Sequence, residues 1–548
     1  MDGLMMNMPL MISSLIRHAD RYHGDTEIVS RTTDGAIHRY DYRDAHARSR
    51  RLVGALSRLG VRSGDRVGTL AWNGHRHFEL YYAVSGMGAI VHTINPRLFL
   101  DQLAYIVNHA DDRVVFFDTT FAPLVDKLAP VCEGVRAWVA MTDRAHMPEL
   151  AVSPLLCYEE LLSAEDDDYE WPEFDENTAS GLCYTSGTTG NPKGVLFSHR
   201  STILHAFAVS LPDSKCYSSR SVVLPIVPMF HVNAWGIPYA APLVGAKLVF
   251  PGGALDGRSL YELFEGERVT STAGVPTVWI GLIDFMKKNG LRFSTLETTT
   301  IGGAACPAAM MQTLQEDFGV RVLHGWGMTE MSPVGTIGML KGKHLALSGE
   351  ERLSVALKQG RPLYGVDMKI VDGEGKELPR DGRSAGSLLV KGPWIARAYY
   401  REEGPSPITP DGWFPTGDVG TLDEDGYLQI TDRSKDVIKS GGEWISSIEL
   451  ENIAVGHPGV VEAAVIGVRH PKWDERPLLI VVKKPEAKLT REALLAFFEG
   501  RTARWCIPDD VIFVDELPHT ATGKLSKRTL RERFRDYRFP EDSAAYGQ

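Results

Sequence analysis

Cysteine is scarce: the six in 548 residues, Cys132, Cys157, Cys183, Cys216, Cys306 and Cys506, are scattered and form no CxxC pair. That excludes a zinc site built on paired cysteines, suggests no disulfide framework, and fits a reducing cytoplasm. Positive charge is in short supply too. The formal net charge of −11 argues against nucleic acid as a main partner, because binding a phosphate backbone needs a basic face. Long apolar runs are missing, and the stretch from Tyr81 to Val91 is shorter than the roughly 20 residues of a membrane span. The methionine-rich start MDGLMMNMPLMISSLIRH has neither a basic n-region nor a small-residue cleavage pattern, so it is not read as a signal peptide. From Met11 onward it reads instead as an amphipathic helix. There is no repeat of fixed period, and the acidic segment AEDDDYE at 164–170 reads as a solvated loop.

A chain of this length exceeds one hydrophobic core, so three or four lobes in two or more domains are expected. From about residue 40 strand and helix patterns alternate: DRVGTLAWNG (65–74) as strand and turn, FELYYAVSGMGAIVHTI (78–94) as helix then strand, RVVFFD (113–118) as strand. Such alternation implies an α/β fold, with layered, largely parallel sheets flanked by helices and ligands gathered at the strand ends. Near the C-terminus VVEAAVIGV (460–468), LLIVVKK (478–484), TREALLAFFEGRT (490–502) and DDVIFVDEL (509–517) fit a small α+β unit. The boundary is expected in the polar stretch TDRSKDVIKSGGE (431–443), as a linker or a working hinge.

The chemistry concentrates in a few stretches. GLCYTSGTTGNPKGVLFSH (181–199) resembles a phosphate loop, but Gly190 is followed by Asn191, Pro192, Lys193 and Gly194 rather than by Lys-Ser/Thr. The nucleotide-hydrolase spacing therefore fails. Its hydroxyls and glycines suit a different phosphate cradle, with an ordinary surface turn equally open from this segment alone. HGWGMTE (324–330) sets an aromatic between glycines ahead of a hydroxyl and a carboxylate. The aromatic suits a base and Glu330 suits Mg²⁺ on phosphates, against the plain alternative of a glycine-rich turn beside a core tryptophan. GWFPTGD (412–418) ends in Asp418, whose two acceptor oxygens match a ribose diol, although a lone aspartate after a turn is most often a helix cap.

Taken together and in order, YTSGTTGNPKG, PMFHVNAW (228–235), GGAAC (302–306), HGWGMTE, GWFPTGD, DRSKDVIKSGGEWIS (432–446) and TATGKLSKRTLR (520–531) resemble the motif set of the acyl-adenylate-forming superfamily. The resemblance covers nearly the whole chain. VPMFHVNAW and SGGEWISSIELEN are similar to the medium- and long-chain acyl-CoA synthetase branch. It implies a large N-terminal adenylation domain (1–431), a hinge (432–436) and a small mobile α+β C-terminal domain (437–548). It also implies a soluble, cytoplasmic homodimer that joins a small carboxylic acid to coenzyme A with ATP and Mg²⁺, through an acyl-adenylate. Within this chemistry a small thioether acid is the expected substrate, with a medium- or long-chain fatty acid as the alternative and the depth of the pocket not set by the sequence. Transfer to a carrier-protein thiol and a catalytically idle nucleotide-binding or acyl-binding protein are the other readings.

The residue roles that follow from the resemblance are these. Lys524 assists attack on the α-phosphate, and His231 faces the acyl carboxylate. Thr185, Ser186, Gly187, Thr188, Thr189, Gly190 and Lys193 cradle the phosphates, with Thr185 and Glu330 on Mg²⁺. Gly302, Gly303, Ala304, His324, Gly325, Trp326, Gly327, Met328 and Thr329 line the nucleotide slot, and Asp418 and Arg433 hold the ribose. Trp235 gates an acyl pocket lined by His231, Gly302, Gly327, Met331, Pro333 and Val334. Lys435 is the pivot that exchanges Lys524 for Lys439 and the turn Ser440, Gly441, Gly442, Glu443 and Trp444 on the coenzyme A side.

Overall fold

The computed structural model describes residues 1, 3–185, 191–402, 404–441, 443–519 and 525–540. Ser186 to Gly190, Gly442 and Lys524 lie outside them, as do the side chains of Glu443 and Trp444.

Ile12–His23 is the expected amphipathic helix, and Ile12, Leu15, Ile16 and Ala19 bury one face at helical spacing. The alternating patterns that follow become two large sheets. One runs Leu155–Cys157, Ala137–Ala140, Asp112–Phe117, Arg66–Leu70, Ile90–Thr93, Ala179–Tyr184 and Gly194–Ser198 in spatial order, parallel except for the last pair. The other contains the parallel set Val222–Pro225, Ser271–Gly274, Thr298–Ile301 and Arg321–Gly327, extended at both edges. The inner strands Arg66–Leu70, Ile90–Thr93, Ser271–Gly274 and Thr298–Ile301 are buried along their whole length, as parallel strands covered by helices on both faces must be. A four-stranded antiparallel sheet spans Asp367–Val371 to Leu428–Arg433.

The C-terminal unit is built on Val460–His470 paired with Asp474–Lys483, with Asp510–Val514 parallel to the second of them. The helix Arg491–Phe497 packs beside it. Arg476 is fully buried here, held by Asp509 at 2.6 Å.

Two expectations change. The acidic segment 164–170 is not simply solvated, because Glu165 pairs with Arg58 and Asp167 with Arg50. The stretch 431–443 is not a free linker: Thr431, Asp432 and Arg433 finish one strand, and after one turn Ile438–Ser440 begins another. The buried Asp432 carboxylate accepts the Ser447 amide at 2.7 Å and the Ser447 hydroxyl, and Arg531 pairs with Asp436 at 2.7 Å. Among the described residues no helix is long and apolar enough to cross a membrane.

Candidate active site

The carboxyl ends of parallel strands collect the sequence-derived residues, as expected for an α/β sheet whose crossovers leave a crevice there. The strand Thr298–Ile301 ends into Gly302 and Gly303, and its neighbour Arg321–Gly327 carries Trp326 one residue before its end. The strand Val222–Pro225 leads to His231, and in the other large sheet Ala179–Tyr184 leads to Thr185. Thr185 and Lys193 close the neck of the hydroxyl loop, where the Thr185 amide donates to the Lys193 carbonyl at 2.9 Å and the Lys193 amide to the Thr185 hydroxyl at 3.2 Å.

A chain of contacts joins that neck to the other motifs. The Lys193 ammonium lies 4.7 Å from the centre of the Tyr399 ring and 2.5 Å from Glu402. The Tyr399 hydroxyl donates to Glu330 at 2.7 Å. Burial raises the Glu330 pKa, and the tyrosine bond opposes it. A buried carboxylate whose ionised form is disfavoured gains from a nearby cation. One carboxylate plus the Thr185 hydroxyl are hard oxygen ligands, which fits a Mg²⁺ ion held mainly by substrate phosphates rather than by a protein cage. Thr329 is buried beside Glu330.

Trp326 Nε1 donates to Asp418 Oδ2 at 2.8 Å, and Arg433 Nε lies 3.8 Å from Asp418 Oδ1. Asp418 sits inside the strand Phe414–Leu422 opposite Arg433, so it is not a helix cap. Proposed base-slot and ribose residues thus touch one another across two sheets.

The residues expected to line an acyl pocket also gather. A Cβ placed on Gly302 would lie 2.8 Å from the Gly325 carbonyl oxygen and 3.3 Å from Trp235 Cη2, so the indole packs where a side chain would stand. Gly303 has φ +77°, and Trp235 Cζ2 lies 3.8 Å from where its Cβ would be. Gly327 is as restricted, with a Cβ falling 1.9 Å from the Pro333 carbonyl oxygen. Met331 and Val334 are buried nearby. Trp235 is presented by an unusual segment. Val232, Asn233, Ala234 and Trp235 have φ of 45°, 53°, 47° and 55°, and Gly236 follows at 78°. That is one left-handed helical turn, at about 1–2 kcal/mol for each non-glycine residue. It persists only because its surroundings hold it.

Two residues named in the motifs have their side chains engaged inside the protein. His324 does not turn its ring to a nucleotide: it is 1% exposed, Nδ1 donates to the Leu357 carbonyl at 2.7 Å, and Nε2 accepts the Cys306 amide at 3.3 Å. Burial pushes its pKa down to about 4, so it is a neutral brace for the 302–306 loop. The Ser440 hydroxyl is buried and accepts from the Arg476 guanidinium at 3.2 Å. Lys435 and Lys439 are exposed, and the Lys439 amide donates to Glu475 at 3.0 Å. Gly441 has φ +58°. Tyr399 and Glu402 were missed by sequence reasoning, since one tyrosine and one glutamate in a polar loop carry no local signal.

The sequence profile of the AMP-binding enzyme family matches residues 15–400, and that of the AMP-binding enzyme C-terminal domain matches residues 449–524. The chain belongs to the AMP-binding enzyme family. It is 54% identical over 536 residues to the 3-methylmercaptopropionyl-CoA ligase of Ruegeria lacuscaerulensis, covering 98% of this chain and 99% of that one. It is 51% identical to the medium-chain-fatty-acid–CoA ligase of Ectopseudomonas oleovorans, covering 98% of both. Among solved structures, an anthranilate CoA ligase in complex with anthranoyl-AMP superposes with a TM-score of 0.85 at 25% identity, over 96% of this chain and 98% of that one.

Proposed function

We propose that the protein is an AMP-forming carboxylic acid–CoA ligase whose acid is 3-methylmercaptopropionate. The observation that carries the chemistry is the contact chain that brings Lys193, Tyr399 and Glu330 together on one side and Trp326, Asp418 and Arg433 on the other. The Gly302–Trp235 wall adjoins Gly325, next to Trp326, and this nearness supports reading the two groups as the phosphate, metal and ribose sides of one site. The 54% identity to a 3-methylmercaptopropionyl-CoA ligase supports the choice of acid, and the 51% identity to a medium-chain ligase makes a medium-chain fatty acid the second reading.

In the first half-reaction an acid oxygen attacks the α-phosphorus of ATP and pyrophosphate leaves. In the second the coenzyme A sulfur attacks the acyl carbon and AMP leaves. Two anions must meet in the first step, so the protein's task is charge neutralisation and orientation. Lys193 and the hydroxyl loop hold the β- and γ-phosphates, Asp418 and Arg433 hold the ribose, and Trp326 with Gly302, Gly303 and Ala304 bounds the base. Bound Mg²⁺ would supply further charge neutralisation on the phosphates, held by Glu330 and Thr185. His231 orients the acid, and Lys524 bridges the acid and the α-phosphate. A division at 432–436, pivoting on Lys435, lets Lys439 and the 440–446 turn replace Lys524 for thioester formation. A homodimer belongs to the same reading.

The test is pyrophosphate release and coenzyme A thioester formation with 3-methylmercaptopropionate, butyrate and octanoate. Highest kcat/KM with the thioether acid is expected. Clear preference for octanoate would replace it with the medium-chain reading, and no release with any acid would remove both.

A further inference from the structure

The left-handed turn that carries Trp235 is gripped from behind by side chains outside every motif described above. Lys215, in the turn after the helix His199–Ser210, is 2% exposed, and its Nζ donates to the Trp235 carbonyl at 2.9 Å. Its ammonium faces the Tyr217 ring at 5.9 Å. No ion pair joins it to a carboxylate among the described residues. An ammonium is expensive to bury without a carboxylate, and this one is spent on a single backbone carbonyl. That carbonyl closes the strained turn, immediately before Gly236.

His205 supports the same corner. A Cβ on Gly236 would lie 2.7 Å from two of its ring atoms, and its Nε2 accepts the Val334 amide at 3.1 Å. It connects the Trp235 turn to the Pro333–Val334 wall. Asn233 is held separately, near the Cys183 thiol at 3.3 Å and the Tyr239 hydroxyl at 3.4 Å. Those contacts fix the middle of the turn. Lys215 fixes the carbonyl of the residue whose indole lies against Gly302 and Gly303.

We propose that Lys215 is a positioning residue for acid selection: by clamping the Trp235 carbonyl it fixes the left-handed turn, and so the depth to which the indole closes the acyl pocket. This rests on the acyl-pocket reading given under the proposed function. Without the clamp, a buried carbonyl loses its partner and the turn can relax toward ordinary backbone conformations. The indole then withdraws, which weakens the hold on short acids more than on longer ones.

Two measurements test this on the full-length protein. In the first, Lys215→Met, which keeps the chain volume and removes the donor, is compared with wild type across the acid panel. KM for the short acid is expected to rise tenfold or more, with kcat and KM for ATP changing far less and relative use of octanoate increasing. In a Trp235→Ala background the same substitution should change KM less than twofold, because the group it positions is gone. An equal factor in both backgrounds, or an unchanged KM in wild-type background, overturns the proposal. In the second, hydrogen exchange of the amides from 232 to 236 is expected to accelerate at least tenfold in Lys215→Met while the strand Arg66–Leu70 is unaffected. Unaccelerated exchange overturns the proposal even if wild type proves inactive with every acid, an outcome that by itself removes only the functional reading.

Discussion

Lys215 also makes a measurable demand on stability, separable from any reaction. Burial pushes its ammonium down to about 7, against an ordinary value of 10.5. Each pH unit between two such midpoints is worth about 1.4 kcal/mol, so the folded protein disfavours the charged amine by at most about 5 kcal/mol. The sign follows from proton counts. Between about pH 7 and pH 10.5 the unfolded chain keeps the proton that the folded protein has released, so this residue makes stability rise with pH. Below about 7 the penalty is present in full and flat. The groups around it do not blur the window: His205 is driven down to about 3 by burial and by Lys215, and burial raises the Tyr217 phenol. Neutral amine still donates to the Trp235 carbonyl, so the clamp survives the titration. The assay is urea unfolding of wild type and Lys215→Met at pH 7, 8 and 9, followed on the transition of the large domain. The stability of wild type relative to the variant is expected to climb by about 1 kcal/mol per pH unit. Parallel pH profiles for the two proteins would refute the reasoning.

Lys524→Ala should abolish adenylation yet spare thioester formation from a supplied acyl-adenylate, and Lys435→Pro should do the reverse; equal loss of both half-reactions in either variant would contradict the proposed division of labour. Asp418→Asn removes the charge proposed to hold the ribose while keeping an acceptor for Trp326. Charged hydrogen bonds are worth about 1.5–3 kcal/mol, so KM for ATP should rise by roughly ten- to a hundredfold, read by pyrophosphate release at saturating acid. Gly302→Ala would put a methyl 2.8 Å from the Gly325 carbonyl oxygen and 3.3 Å from Trp235, overpacking worth about 1–3 kcal/mol. Thioester formation should narrow toward the shortest acids, and an unchanged chain-length profile would count against the pocket assignment.

Much of this protein was legible because its site is assembled from contiguous motifs. YTSGTTGNPKG, HGWGMTE and GWFPTGD each hold several chemically special residues in a short span, and their order predicted the family that the profile matches bear out. The strands at 66–70, 90–93 and 112–117 were equally readable, since buried parallel strands are short apolar runs between helical patterns. The direction of the His324 ring was not legible for the complementary reason. Its motif advertises a nucleotide slot, yet whether its ring faces the slot or the core depends on Leu357 and Cys306, which come from other segments.

The sequence by itself determined the α/β class and the family, and it nominated the candidate site residues, because those are read from local pattern and residue type. Only the tertiary structure decided which of them meet. Tyr399 reaches Glu330 from 69 positions away, Trp326 reaches Asp418 from 92, and Lys215 clamps Trp235 across 20 residues and a left-handed turn. Side-chain direction, burial and the backbone conformations that a packed core can hold are long-range properties, and no window of neighbouring residues contains them.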